Sequence, residues 1–209
     1  MSLVDVLYPP RCLCCKEGMD SHSRFCRNCL THFTLLSSEG RCEKCFSSIP
    51  NLKGICKPCR GKRHHLRTLG ACFDCYGPAK ALLEAFYHTK QPHFAKEIAS
   101  FIVIQLEALK FPSFDLLTMI PQALSNPQYA IGREVSRLLS VPFRPTLQRR
   151  ISKEVQFLPK RNCNLIDKKL LLLHTNLNTC QTVCKAAEVL ASRWPNSIYG
   201  MSFCATYTF

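Results

Sequence analysis

The sequence predicts an α/β chain in two parts: a small metal-stapled unit of tandem four-cysteine ribbons over residues 1–67, then a domain over 68–209 built on a mainly parallel sheet. Three observations predict it. Eleven of the 15 cysteines fall before residue 76, and eight of these repeat with a fixed period. From about Thr68, apolar runs of strand length alternate with amphipathic stretches of helix length. Two of those runs, around Leu116 and Leu170, are apolar without alternation, which is how strands buried on both faces read. A chain of 209 residues has room for one small unit and one medium domain.

The cysteines come first. Cys12 and Cys15 form a C-x2-C pair, and ten residues separate it from a second pair, Cys26 and Cys29. Cys42, Cys45, Cys56 and Cys59 repeat the pattern 30 residues on, the mark of a duplicated unit. Each C-x2-C turn presents two thiolates to one ion at about 2.3 Å, and two turns close a tetrahedral structural zinc shell. A unit of about 18 residues cannot bury enough apolar surface to fold alone, so metal binding supplies the missing folding energy. Two structural zinc ions are therefore expected, paired linearly or cross-braced. A disulfide framework would need an oxidising compartment. The start, MSLVDVLYPP, has no basic segment before an apolar core, and no apolar run approaches the roughly 18 residues of a membrane span. A cytoplasmic protein without a membrane span is expected. Cys14 reads as a spectator of the first turn, or as a replacement for Cys15 in a C-x-C pair. Cys72 and Cys75 repeat the C-x2-C spacing within a strand-like stretch, where they read as small strand residues; His64 and His65 could complete a third site with them, but fit a basic linker better.

The remaining elements follow in order. Residues 57–67, KPCRGKRHHLR, hold five Lys/Arg, two His and no acid, and read as a linker or an anion-facing edge. TLGACFDCYG is a strand. PAKALLEAFYH is a helix opened by Pro78. HFAKEIASFIVIQLEALK is a longer helix with Phe94, Ile98, Phe101, Ile102, Gln105 and Leu109 near one face. FDLLTMIP is a buried strand ended by Pro121. NPQYAIGREVSRLLS is helical and VPFRP extended. Residues 147–169 read as loop. KKLLLLH is a buried strand, TCQTVCKAAEVLASRW a helix, and SIYGMSFCATYTF a terminal strand rich in aromatic and β-branched residues.

In this order the parts resemble the ComF competence-protein family. The resemblance rests on Leu7, Pro9, Pro10 and Cys12 at the start, on the eight paired cysteines, and on Tyr76, Gly77 and Pro78 at a strand–helix junction. It implies a second domain of the type I phosphoribosyltransferase fold and a role in natural transformation, the cytoplasmic handling of imported single-stranded DNA. DNA-uptake or helicase proteins are implied as partners. The family's diphosphate-sugar motif is an apolar strand, two adjacent acids and a Thr-Thr-Gly-x-Thr loop that opens a helix. Here the strand is Leu170 to Leu173, but His174 and Thr175 stand in place of the acids. Asn178, Thr179, Cys180, Gln181 and Thr182 form the loop, with Cys180 where glycine would let backbone approach a phosphate. The resemblance thus implies at most a vestigial anion site at these five residues, or simply a capped helix start. A neutral His-Thr pair cannot hold a ribose diol or a magnesium diphosphate as two carboxylates would, so Mg2+ is not expected and no catalytic residue is assigned. The Arg-Gly-Phe-Asn-type loop is reduced to Gly132 and Arg133, and a Gln…Arg-x-x-Asn segment to Gln156, Arg161 and Asn164.

Charge supplies the partner. Lys plus Arg outnumber Asp plus Glu by 28 to 14, a net +14, which two zinc ions on eight thiolates lower to about +10. In the second domain the excess gathers in one window: Arg144, Arg149, Arg150, Lys153, Lys160, Arg161, Lys168 and Lys169 against Glu154 and Asp167. That is what a phosphate-backbone contact needs, with Phe143 and Phe157 at hand to stack on bases; a solvated basic loop is the plainer reading. The expected function is binding of single-stranded DNA without phosphoribosyl transfer. The alternatives are a transferase with an atypical site and a zinc-ribbon scaffold for protein partners.

Overall fold

The computed structural model describes residues 9–19, 23–49, 54–62, 64–89, 91–122, 127–150, 156–160, 163–177 and 180–206. The sequence repeat is a structural repeat. Isolated antiparallel bridges join Arg11 to Gly18 and Arg41 to Ser48, each in the same place of its ribbon. In each ribbon the first cysteine donates its backbone N–H five residues on, Cys12 to Glu17 and Cys42 to Ser47, both at 2.9 Å. Lys16 and Phe46 take left-handed φ values of 64° and 61°, so the turn geometry is duplicated too. The ribbons differ after their second pair begins: a short helix α1 (Arg27–Leu30) follows Cys26, whereas Cys56 opens a single 3-10 turn, Lys57–Cys59.

Beyond the ribbons the chain forms β1 (Leu66–Asp74), α2 (Gly77–Thr89), α3 (Pro92–Ala108), β2 (Leu116–Met119), α4 (Tyr129–Leu139), β3 (Leu147–Arg150), β4 (Gln156–Pro159), β5 (Lys169–Leu177), α5 (Cys180–Ala191) and β6 (Ser197–Ala205). Four strands make a sheet in the order β1-β6-β5-β2, parallel at every pairing. β5 lies inside it and is buried from Leu170 to Thr175, as its unbroken apolar run predicts. Beside β2, Phe143 makes a parallel bridge with Leu117 and extends that edge. The opposite edge, β1, is covered: Leu36 donates to the Cys72 carbonyl at 2.9 Å, and buried Gln105 of α3 reaches the carbonyls of both Leu36 and Ala71 at 2.8 Å. A polar residue on the apolar face of a helix thereby stitches the inter-ribbon segment to the sheet.

One expectation is corrected here. Residues 147–169 are not plain loop, because β3 and β4 pair antiparallel with Leu147 opposite Pro159 and Arg150 opposite Gln156. Only Leu147 and Phe157 of this hairpin point inward. Two buried positions in eight leave no alternation for a sequence reading to find.

Each face of the sheet has its own core. On one face α2, α3 and α4 pack with Phe73, Leu117, Leu171, Leu173 and Phe203, and the first ribbon joins through Cys12, Phe25 and Cys29. On the other, α5 and the hairpin pack with Leu69, Leu170 and Leu172, and Phe46 of the second ribbon joins them. Phe33, between the ribbons, stacks on Phe101 at 5.1 Å and meets Phe25 and Phe73 edge-on. On α4, Gly132 is fixed by packing: a Cβ there would lie 2.5 Å from the Phe143 ring. Gly132→Ala should therefore lower stability by about 1–3 kcal/mol despite alanine's better helix propensity. Urea unfolding of the two proteins checks this, and an unchanged or raised midpoint would contradict it.

Candidate functional site

The two cysteine groups are metal centres by geometry. In Cys12, Cys15, Cys26 and Cys29, and again in Cys42, Cys45, Cys56 and Cys59, one sulfur from each residue lies within 4.8 Å of the other three. Cys15 and Cys26 sulfurs are 3.7 Å apart, and Cys45 and Cys56 sulfurs 3.6 Å. Four sulfurs at about 2.3 Å from one zinc sit about 3.8 Å from one another, so both cages fit that ion. The pairing is linear, each ribbon closing its own cage. Backbone donors prepare the thiolates: Cys26 N–H points to the Cys12 sulfur at 3.3 Å, and Cys56 N–H to Cys42 at 3.2 Å. Burial opposes ionisation of Cys12, but the amides of Cys26, Cys15 and Cys14 outweigh it and bring the thiol down to about 6. The second cage is buried at all four residues, whereas Cys15 of the first is exposed.

Cys72, Cys75, His64 and His65 belong to neither cage. Cys72 is fully enclosed in β1, and burial pushes its thiol well up. His64 meets the Cys59 carbonyl at 2.9 Å. Cys75 has a partner the sequence did not suggest. The Cys204 thiol, assisted by Thr206, holds Cys75 down at about 6 against partial burial, beside a cleft of about 350 Å3 lined by Arg41, Asp74 and Tyr76.

At the end of β5, His174 and Thr175 are buried. Thr175 sits in a closed polar cluster: Tyr87 of α2 shares a hydrogen bond with its hydroxyl at 2.7 Å, and the Gln122 amide donates to it at 2.8 Å. Tyr87 also donates to the Gln122 side-chain carbonyl at 2.7 Å, and Arg149 of the hairpin donates to the Gln122 backbone carbonyl. His174 lies at the cluster's edge, 3.5 Å from the Gln122 amide nitrogen, and its Nδ1 has no hydrogen-bond partner among the described residues. Burial lowers its pKa to about 4, so the ring is neutral at pH 7. Tyr87 is pushed up by burial despite its two partners.

Of the loop after β5, Asn178 and Thr179 lie outside the described residues. Cys180 is half-buried against the second ribbon, with Cys184 and Cys45 as the sulfurs acting on it; Gln181 is exposed and Thr182 half-buried. A cysteine at this position serves a contact with the metal unit, a role that local sequence does not reveal.

Among the basic residues, Arg144, Arg149, Arg150, Lys160 and Lys169 are exposed and Lys168 is half-buried; Lys153 and Arg161 lie outside the described residues. The two suggested base-stacking residues are engaged in packing. Phe157 is buried in the core under α5, and Phe143 packs on Gly132 and Tyr129. Among the described residues the exposed aromatics are instead Tyr76 and the single tryptophan, Trp194.

Comparison with known proteins agrees with the metal centres. Residues 3–60 match the family model of the double zinc ribbon domain. No curated protein matches the chain. Among solved structures, the chain is similar to an adenine phosphoribosyltransferase from Thermoanaerobacter pseudethanolicus (15% identity, TM-score 0.42, 57% of this chain and 83% of that one). It is also similar to a hypoxanthine-guanine phosphoribosyltransferase from Bacillus anthracis (12%, TM-score 0.39, 55% and 66%), and to the hypoxanthine phosphoribosyltransferase of Trypanosoma cruzi (15%, TM-score 0.37, 55% and 66%). Likenesses of this strength carry no activity to this chain. The molecule is thus a pair of zinc ribbons joined to an α/β domain on a parallel sheet, and no helix among the described residues is long and apolar enough to cross a membrane.

Proposed function

We propose that this is a ComF-like protein that binds single-stranded DNA and does not transfer phosphoribosyl groups. The observation that carries the reading is the β3–β4 hairpin: Arg149 and Arg150 are exposed on it, and it is anchored to the end of β2 by the bond from Arg149 to Gln122. With Arg144 and Lys160 at its base, it offers phosphates a run of cations on two paired strands. The second half of the reading is supported by the Tyr87–Gln122–Thr175 cluster. It uses the Thr175 hydroxyl internally and keeps His174 buried and neutral, so neither can hold a ribose diol.

The test is fluorescence anisotropy of a labelled single strand with zinc-loaded protein at 50 and 200 mM salt. Contact with about four phosphates gives a salt slope near −3, so affinity should fall ~50-fold across that range. Arg149→Ala with Arg150→Ala should weaken binding and flatten the slope. Phosphoribosyl diphosphate should not compete. Absence of binding at low salt would overturn the DNA reading, and displacement by phosphoribosyl diphosphate would reopen the enzyme.

A further inference from the structure

Trp194 is the only tryptophan and is 78% exposed. A mobile terminus would expose an aromatic ring at no cost, but Trp194 is held. Its backbone N–H donates to the Ala191 carbonyl at 3.1 Å, its backbone carbonyl accepts from Asp167 N–H at 3.1 Å, and Asn196 N–H donates to the Lys168 carbonyl at 3.0 Å. Trp194 and Asp167 both take left-handed φ, 57° each, a conformation that costs a non-glycine residue free energy. Two strained residues thus lock the corner between α5 and β6 onto the turn before β5, with the indole turned to solvent.

The ring's surroundings are mixed: Cys163, Leu165 and exposed Ile166 supply apolar surface, and Asn164, Ser192 and Arg193 supply polar and cationic groups. Trp194 lines a cleft of about 520 Å3 with Arg193, Asn164 and Ile166. Lys168 and Lys169 are on the strand start that the corner is bonded to, and Lys169 is exposed. The nearby acids are Asp167, on the same turn, and Asp115, whose carboxylate accepts from Lys169 N–H at 2.8 Å; both keep their charge, so Arg193, Lys168 and Lys169 leave the corner one positive charge in excess. An open aromatic face beside a guanidinium and an amide, with two lysines where the adjoining strand begins, is what an unpaired base with its flanking phosphates recognises. Stacking on such a ring tolerates any sequence, because every base has a π-face.

We propose that the Trp194 corner is a stacking platform for one base of a single-stranded nucleic acid, with Arg193, Lys168 and Lys169 taking the adjacent phosphates. This rests on the reading that the chain binds single strands, and places one contact of that binding at the opposite end of β5 from His174.

The sole tryptophan is its own reporter. Zinc-loaded, full-length protein is titrated with oligo(dT) of about 12 nucleotides, while two signals are followed: intrinsic fluorescence and anisotropy of a label on the DNA. Fluorescence should be quenched along the same isotherm as the anisotropy rise. Trp194→Ala should weaken binding about tenfold and Trp194→Phe much less, with far-ultraviolet circular dichroism unchanged in both. Normal anisotropy with unquenched tryptophan and an unaltered Trp194→Ala affinity would overturn the platform and leave DNA binding standing. No anisotropy change at low salt would overturn DNA binding and the platform with it. Fluorescence that shifts with protein concentration alone, and is insensitive to DNA, would assign the corner to self-association and also overturn the proposal.

Discussion

Chelation should remove the two zinc ions in separate phases, the first ribbon losing its metal before the second. The cages have the same ligands, so the difference lies in access. Cys15 is exposed and Cys26 half-buried in the first cage, while all four ligands of the second are buried, with Cys180 of α5 packed on that ribbon. A chelator must meet the ion or wait for the cage to open, and only the first cage offers an open side. Zinc binding in ribbons of this kind is worth about 10–16 kcal/mol at neutral pH, as large as the whole stability of an ordinary domain. A metal-free ribbon therefore does not stay folded. Cys12→Ser should abolish the fast phase and Cys42→Ser the slow one, each leaving one zinc per chain by a colorimetric assay.

The consequences should reach beyond the ribbons. Phe25 and Phe33 lie in one aromatic cluster with Phe73, Phe101 and Phe203, so unfolding the first ribbon uncovers part of the core over α3. Dye binding to exposed apolar surface should rise with the fast phase. Single-phase loss of both ions, or a Cys42→Ser protein that still holds two, would show that the ribbons are not independent cages.

How far the sequence speaks depends on how local each feature is. The cages were legible because their ligands lie within 18 residues and the pattern occurs twice. β5 was legible because an unbroken leucine run has few other readings, and the long helices because their apolar faces repeat. The hairpin was not, since strands of four residues with three exposed positions in β3 show no period. Nor was the influence of Cys204 on Cys75, which depends on β1 and β6 lying side by side, although the two strands stand at opposite ends of the α/β sequence. Aromatic residues were the weakest point. Phe143, Phe157 and Trp194 look alike as letters near basic residues, and only packing tells that the first two are structural and the third is presented to solvent. His174 and Thr175 were visible at the end of the leucine run; that Tyr87 and Gln122 close over Thr175 was not, because three separate elements meet there.

That closed cluster makes a second strong expectation: His174→Asp should destabilise the protein and invert its pH dependence. In the native chain, His174 has a folded pKa of about 4 against 6.5 when unfolded. Between those values the unfolded state binds the extra proton, so this residue's contribution is full above pH 6.5 and is lost as pH falls toward 4. The whole loss is on the order of 3 kcal/mol. A carboxylate in the same place is buried beside one distant amide donor, and burial drives its folded pKa above the ordinary 3.9. Its folded state then binds the extra proton, so the variant loses stability as pH rises above 4. At pH 7 the uncompensated charge should cost about 3–5 kcal/mol. His174→Asn titrates in neither state and should flatten the profile. Urea midpoints at pH 5 and pH 7, with the zinc content of each protein confirmed at both, measure all three slopes. Parallel slopes in the native and aspartate proteins would mean that position 174 is open to water and that the cluster around Thr175 does not close it off.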